Sequence, residues 1–182
     1  MSNDKKPYFP LFVDLNEKQI VVVGAGTIAK RRIRTLVSFT NHLTVIAPEV
    51  NRELLDMEKA GMLRIKRKNY EREDIYDADY VIAATNDHQI NSDIYSACKC
   101  MGITVNVCSD KTKCDFYFPG IYMQEGLVVG ITASGLDHKK ARRIREEIQD
   151  ALEKVARENR RKDSQHFPGR RIKIISDIHY YL

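Results

Sequence analysis

No stretch of this sequence stays apolar for the ~20 residues that a membrane-spanning helix needs, so no membrane role is expected. Its opening, MSNDKKPYFP, has no hydrophobic run of the secretory type, which makes the cytoplasm the expected compartment. Cysteines number only 4, with no C-x-x-C pair and no histidines at zinc-finger spacing. Cys98 and Cys100 lie two apart, which would point them in different directions on a helix. Reduced, mostly buried thiols are the expectation. The 5 histidines, at 42, 88, 138, 166 and 179, show no ligand spacing either, so no resident metal site is expected. Internal repeats and low-complexity tracts are missing too, which excludes solenoids and disordered tethers.

What remains is a globular composition. The 182 residues, 43% apolar and 30% charged, suffice for one ordinary domain with a small appendage. The net charge of +5 comes mostly from KKARRIR at 139–145 and RENRRK at 157–162, with KRK at 66–68 as a smaller cluster. Such clusters form solvated helix faces, or they attract nucleic acid or a polyanionic small molecule. The stretch 137–163 also carries many acids and no recognition motif, so nucleic acid is not an expected partner.

Along the first 110 residues, strand and helix signals alternate. QIVVVG, HLTVIA, MLRIKRK, DYVIAAT and ITVNVC read as strands, and the segments between them as helices. Non-alternating apolar strands separated by helices imply a parallel sheet covered on both faces: an α/β, Rossmann-type, doubly wound domain. After about residue 112 the pattern changes to two strands, FYFPGIYM and LVVGITA, around Gln124-Glu125-Gly126. A long helix from about Asp137 follows, with the stripe Ala141, Ile144, Ile148, Leu152 and Val155. The expected division is a dinucleotide-binding domain over 1–112, a small α+β dimerisation or substrate element over 113–150, and a helical basic extension over 151–182. One hairpin and one helix cannot bury their own faces, so a homodimer is expected.

Gly24-Ala25-Gly26-Thr27-Ile28-Ala29 fits G-x-G-x-x-G/A between a strand and a helix, the context that makes the pattern informative. Gly24 permits the tight turn, Gly26 lets backbone approach a pyrophosphate, and Ala29 allows close helix–strand packing. Such sites usually end the second strand on an acid that holds the ribose. Here that strand ends Ile46-Ala47-Pro48, and the first acid is Glu49, which either reaches the ribose or caps the next helix. No arginine stands where a 2′-phosphate would be received, which favours NAD over NADP. Thr85 and Asn86 close the fourth strand at the same sheet edge, as nicotinamide-side contacts, as a helix cap, or as both. Lys30, Arg31 and Arg32 read as mostly solvated helix charge.

The segments YFPLFVDLNEKQIVVVGAGTIAKRRIRTL, IAATNDHQIN, VNVCSDKTKCDFYFPG and ASG with ARRIREEI, in order and at matching spacing, resemble the precorrin-2 dehydrogenase family over roughly residues 8–150. That family is similar to the N-terminal part of siroheme synthases and to the bifunctional dehydrogenase/ferrochelatases. The resemblance implies NAD-dependent oxidation of precorrin-2 to sirohydrochlorin by a homodimer, in some members with insertion of Fe²⁺ or Co²⁺. It places cofactor contacts at Gly24, Gly26, Thr27, Ile28, Pro48, Glu49, Thr85, Asn86 and Asn106. Precorrin-2 carries many carboxylates, which gives Arg142 and His138 a use as substrate contacts. The family's aspartate three residues past the asparagine is Ser109 here, with Asp110 beside it. Asp110 is the expected base or electrostatic partner, with Ser109 as its alternative and an ordinary turn as the competing role. Asp115 reads as structural. The rival to the enzyme is an NAD-binding regulatory module without tetrapyrrole chemistry.

Overall fold

The computed structural model describes residues 6–124, 126–134 and 137–166, with side chains for all of these except 138 and 159–166. The first half of the chain builds the alternating pattern read from the sequence: β1 (Ile20–Val23), α1 (Thr27–Leu36), β2 (Leu43–Ile46), α2 (Arg52–Lys59), β3 (Arg64–Lys66), β4 (Tyr80–Ala83), α3 (His88–Met101) and β5 (Thr104–Val107). Short 3₁₀ turns at Arg72–Ile75 and Lys111–Lys113 complete the connections. The sheet order is β3-β2-β1-β4-β5, parallel throughout. All four residues of β1 are buried, as expected for a central strand covered on both faces. Its neighbours β2 and β4 contribute Val45, Ile46, Val81 and Ile82 to the buried interior, and β5 adds Val105 and Val107.

Helix boundaries follow local chemistry. Asn51 caps α2, its Oδ1 accepting from the Leu54 N–H at 3.1 Å. Asp87 caps α3 by accepting from the N–H groups of Gln89 at 2.7 Å and Ile90 at 3.2 Å. α3 ends on Gly102 in the left-handed region, φ 72°. Two sequence readings are thereby corrected. Glu49 does not cap α2, because Asn51 stands next to the first helical residue and supplies the acceptor. Nor do Thr85 and Asn86 cap α3, because Asp87 sits next to the first helical residue and supplies the acceptor.

The register brings the strands to one edge. Val23 lies opposite both Ile46 and Ala83, and Ala83 opposite Val107. Four loops, starting at Gly24, Ala47, Ala84 and Cys108, therefore leave the sheet at the same level. Chain direction from β1 diverges there, with β2 on one side and β4 on the other, which makes the topological switch point where such folds bind ligands.

Of the described residues, 13–117 form one compact unit, and 6–12 with 118–166 form the other. The second contains the antiparallel hairpin β6 (Gly120–Gln124) and β7 (Leu127–Ile131) and the helix α4 (His138–His166). Asp137 opens α4 as expected, its Oδ1 accepting from the Lys140 N–H at 2.8 Å. The N-terminal segment joins this unit through the Tyr8 N–H, which donates to Ser134 Oγ at 3.0 Å. α4 runs without interruption past residue 150. Among the described residues no helix is long and apolar enough to cross a membrane. All four cysteines are free; Cys98 is buried and Cys108 and Cys114 half-buried, but Cys100 is exposed, because its alternate position on α3 turns it from the sheet.

Candidate dinucleotide site

Gly24 is where backbone conformation and crowding coincide. Its φ is +110°, and a Cβ there would lie 2.4 Å from the Ala84 carbonyl oxygen and 2.7 Å from the Ala84 carbonyl carbon. Only glycine lets the β1 and β4 loops approach this closely. Its N–H donates to Ile46 O at 2.8 Å, while the Ala84 N–H donates to Val23 O at 2.8 Å, so this corner is stitched to both neighbouring strands. Gly26 is different: a Cβ there would meet nothing within 4 Å. Its missing side chain leaves room rather than avoiding a clash.

Gly26 is also the N-cap of α1, and it brings no side-chain acceptor; the first turn holds no acid. α2, α3 and α4 each have a side-chain oxygen in that place. The first N–H groups of α1, around Thr27 and Ile28, are thus left for an external acceptor at the positive end of the helix dipole. Both residues are exposed at the switch-point edge. Ala29 is fully buried, which brings α1 close against the sheet. An open cradle, free helix N–H groups and a parallel-sheet crevice fit the pyrophosphate of a dinucleotide.

The β4 corner is held from beneath by a residue that sequence reading passed over. Asn91, on α3, is 2% exposed. Its Oδ1 accepts from the Thr85 N–H at 3.2 Å and from Thr85 Oγ1 at 2.9 Å. Its Nδ2 donates to the Thr85 carbonyl at 3.0 Å and to Ser109 Oγ at 3.3 Å. One buried amide therefore fixes the loops after β4 and β5 together, and Ser109 is drawn to this network. Thr85 is half-buried in it, while Asn86 is exposed. The available signal was a polar residue on the apolar stripe of α3, one turn beyond the Asp87 cap.

Asp110 stands at the start of the 3₁₀ turn. Its Oδ1 accepts from the Thr112 N–H at 2.9 Å and from Thr112 Oγ1 at 2.6 Å, and its Oδ2 lies 4.0 Å from Lys113 Nζ. The Thr112 hydroxyl, then the Thr112 N–H, and then the Lys113 charge hold its carboxyl below the usual carboxylate value. Asn106 is 4% exposed, and its Nδ2 donates to the Phe116 carbonyl at 2.8 Å. That bond holds the segment after the turn against β5. Asp115 does comparable structural work, as expected, accepting from the Val105 N–H at 3.0 Å and pairing with Lys99.

The basic start of α1 is less solvated than its sequence suggests. Arg32 is half-buried, with its guanidinium beside the Cys108 thiol; burial lowers the guanidinium's pKa and raises that of the thiol, and their proximity opposes both shifts. Lys30 pairs with Glu53 at 3.8 Å. On the β2 side, Pro48 and Glu49 are exposed at the sheet edge, beside the ribose position of such a fold.

In the second unit, Arg142 is 77% exposed and its Nε donates to Glu146 Oε1 at 2.9 Å. His138 is the first residue of α4, and its side chain lies outside the described residues. Among the described residues no group of three His, Cys, Asp or Glu side chains could hold a metal ion.

Comparisons with known proteins agree with this geometry. A family model described as NAD(P)-binding matches residues 11–120. The chain is 37% identical over 141 residues to the probable multifunctional siroheme biosynthesis protein HemA of Ruminiclostridium josui, covering 77% of this chain and 27% of that one. It is 32% identical over 145 residues to siroheme synthase of Mannheimia succiniciproducens, covering 80% and 30%. The chain thus spans less than a third of the length of these curated relatives. A solved structure of SirC, a precorrin-2 dehydrogenase, superposes with a TM-score of 0.63 at 29% identity, covering 79% of this chain and 71% of that one. With an α/β sheet whose glycine corner opens onto the switch point and a family match across that whole sheet, the chain belongs to the NAD(P)-binding family.

Proposed function

We propose that this chain oxidises precorrin-2 to sirohydrochlorin with NAD as hydride acceptor. The observation that carries the cofactor half is the α1 N-terminus, which is left without a side-chain cap at the crevice where Gly24 draws the β1 and β4 loops together. Similarity to a precorrin-2 dehydrogenase and to siroheme synthases supports the substrate half.

When bound, NAD supplies a nicotinamide ring that takes a hydride. The chain's own residues bind, orient and balance charge. The N–H groups at Thr27 and Ile28 receive the pyrophosphate, and Pro48-Glu49 flank the adenosine ribose. Thr85 and Asn86 face the nicotinamide end, with Thr85 held in place by Asn91. Hydride loss leaves positive charge on the tetrapyrrole, and a proton must follow. Asp110 meets both needs: it stays ionised, Thr112 occupies Oδ1, and Oδ2, which lies 4.0 Å from Lys113 Nζ, faces the developing charge and takes the proton. Ser109, tied to Asn91, orders the same loop. Arg142 and the start of α4 at His138 serve the substrate's carboxylates, which would exchange with Glu146 for the guanidinium.

The working form in this reading is a cytoplasmic homodimer. Leu127 is 47% exposed, Ile144 37% and Val155 52%, an apolar set on the hairpin and α4 that suits a second copy. Metal, where inserted, is a transient Fe²⁺ or Co²⁺ substrate.

An anaerobic assay of the purified protein with precorrin-2 and NAD, following NADH formation, tests the activity. NAD binding without turnover would overturn the dehydrogenase and leave a dinucleotide-binding module.

A further inference from the structure

Lys30 and Arg34 lie four residues apart on α1, on one face of the helix. Both turn to the first turn of α2, where Glu53 sits two residues past the Asn51 cap. Arg34 holds Glu53 with two bonds, Nε to Oε1 at 2.5 Å and Nη2 to Oε2 at 2.7 Å, and Lys30 Nζ lies 3.8 Å from Oε2. All three side chains are about two-thirds or more buried, at 27%, 27% and 34% exposure. The Arg34 bond, with help from both cations, keeps the Glu53 carboxyl below its usual value, so it remains an anion.

The position gives this triad its interest. α1 and α2 begin just beyond β1 and β2, whose ends are level at Val23 and Ile46. In a parallel sheet of this type the adenosine ribose lies over that pair of strand ends. NAD and NADP differ only at the ribose 2′ position, where NADP adds a phosphate. No arginine ends β2 to receive it, so Lys30, one turn into α1, and Arg34, a turn further on, are the cations left to do so. Glu53 neutralises one and partly screens the other, and adds its own charge to repel the phosphate.

We propose that Glu53 is a specificity-determining residue that excludes NADP by occupying Lys30 and Arg34. It acts through charge at the 2′ position, and NAD, with a hydroxyl there, is indifferent to it. The inference rests on the dinucleotide reading above.

The test is direct binding of NAD and NADP to the full chain by calorimetry, for the wild type and Glu53→Gln. NADP should tighten about tenfold relative to NAD in the variant, as expected for removing one charge near a doubly charged phosphate. Adding Lys30→Met to Glu53→Gln should return most of that gain. An unchanged NADP/NAD ratio in folded Glu53→Gln overturns the proposal, as does a shift found with Glu49→Gln instead. If Glu53→Gln does not fold, Arg34→Met carries the test with the opposite sign. It leaves the Glu53 charge less compensated, so NADP should weaken further against NAD, and a constant ratio is again refuting. Wild type that binds neither dinucleotide refutes the cofactor reading itself, a result distinct from equal binding of both.

Discussion

Replacing Asn91 by alanine removes all four hydrogen bonds that tie the β4 and β5 loops together. The amide is 2% exposed, so the Thr85 N–H and carbonyl it leaves behind stay largely out of water. Each buried polar group left unpaired costs about 1–3 kcal/mol, and the vacated space admits some water to soften that cost. The net loss should be about 2–4 kcal/mol, which for a chain of this size lowers the melting temperature by roughly 5–12 °C. Asn91→Asp separates hydrogen bonding from volume. It keeps the acceptor for Thr85 N–H and Oγ1 but turns an anionic oxygen toward the Thr85 carbonyl, so it should destabilise despite being nearly isosteric. Ser109 can rotate its hydroxyl to donate, whereas the carbonyl has no such freedom. Thermal melts and NAD titrations of both variants, with amide hydrogen exchange at Thr85, read the effect. Alanine should accelerate Thr85 exchange and weaken NAD binding more than it lowers the melting point alone would suggest. An Asn91→Ala protein with native melting temperature, native NAD affinity and a protected Thr85 amide would refute the clamp.

Other consequences are as direct. Gly24→Ala places a Cβ 2.4 Å from a backbone oxygen at φ +110°, so it should cost at least about 2 kcal/mol and abolish dinucleotide binding, read by melting and titration. Asp110→Asn should lower turnover about a hundredfold while leaving the NAD dissociation constant unchanged; equal activity would return Asp110 to its turn-forming role. Because the Asp110 pKa is depressed in the folded chain, its ionised form persists below the usual carboxylate value. Its contribution to stability is complete above the unfolded pKa and is lost only as pH falls through the folded one, so turnover should stay flat through the ordinary carboxylate range before dropping. Burial, reinforced by the Asp115 charge, pushes the Cys98 thiol up to about 12, so an alkylating reagent at neutral pH should modify exposed Cys100 first and Cys98 last, as read by peptide mass spectrometry. Fe²⁺ or Co²⁺ insertion into sirohydrochlorin faster than the uncatalysed rate would assign chelation to the chain, and an equal rate would remove it.

How far the sequence went depends on the range of the physics involved. The sheet strands were legible because buried parallel strands need uninterrupted apolar runs, and QIVVVG and DYVIAAT have them. The glycine corner was legible because conformation, helix start and strand end fall within six residues of one another. Asp137 as the start of α4 is a local choice of the same kind. Where several polar residues precede a helix, their identities alone do not say which one is the cap. Asp87 won over Thr85 and Asn86, and Asn51 over Glu49, by a displacement of one or two residues in the chain.

Tertiary structure decided everything that depends on strand register. That Val23, Ile46, Ala83 and Val107 end level is a property of the hydrogen-bonded sheet, and it alone brings the Gly24, Ala84 and Cys108 loops to one edge. Asn91 reads as one polar residue in a helix; only packing against Thr85 and Ser109, 6 and 18 residues away, makes it a clamp. Lys30 reads as solvated charge in the sequence; only the fold sets Glu53 of α2 against it and against Arg34, 19 residues from Glu53. Local propensity acts over a helical turn, and so it can be read from neighbours in the chain. A buried amide or an ion triad is satisfied by whichever groups the folded chain delivers, and that delivery is fixed by the sheet order.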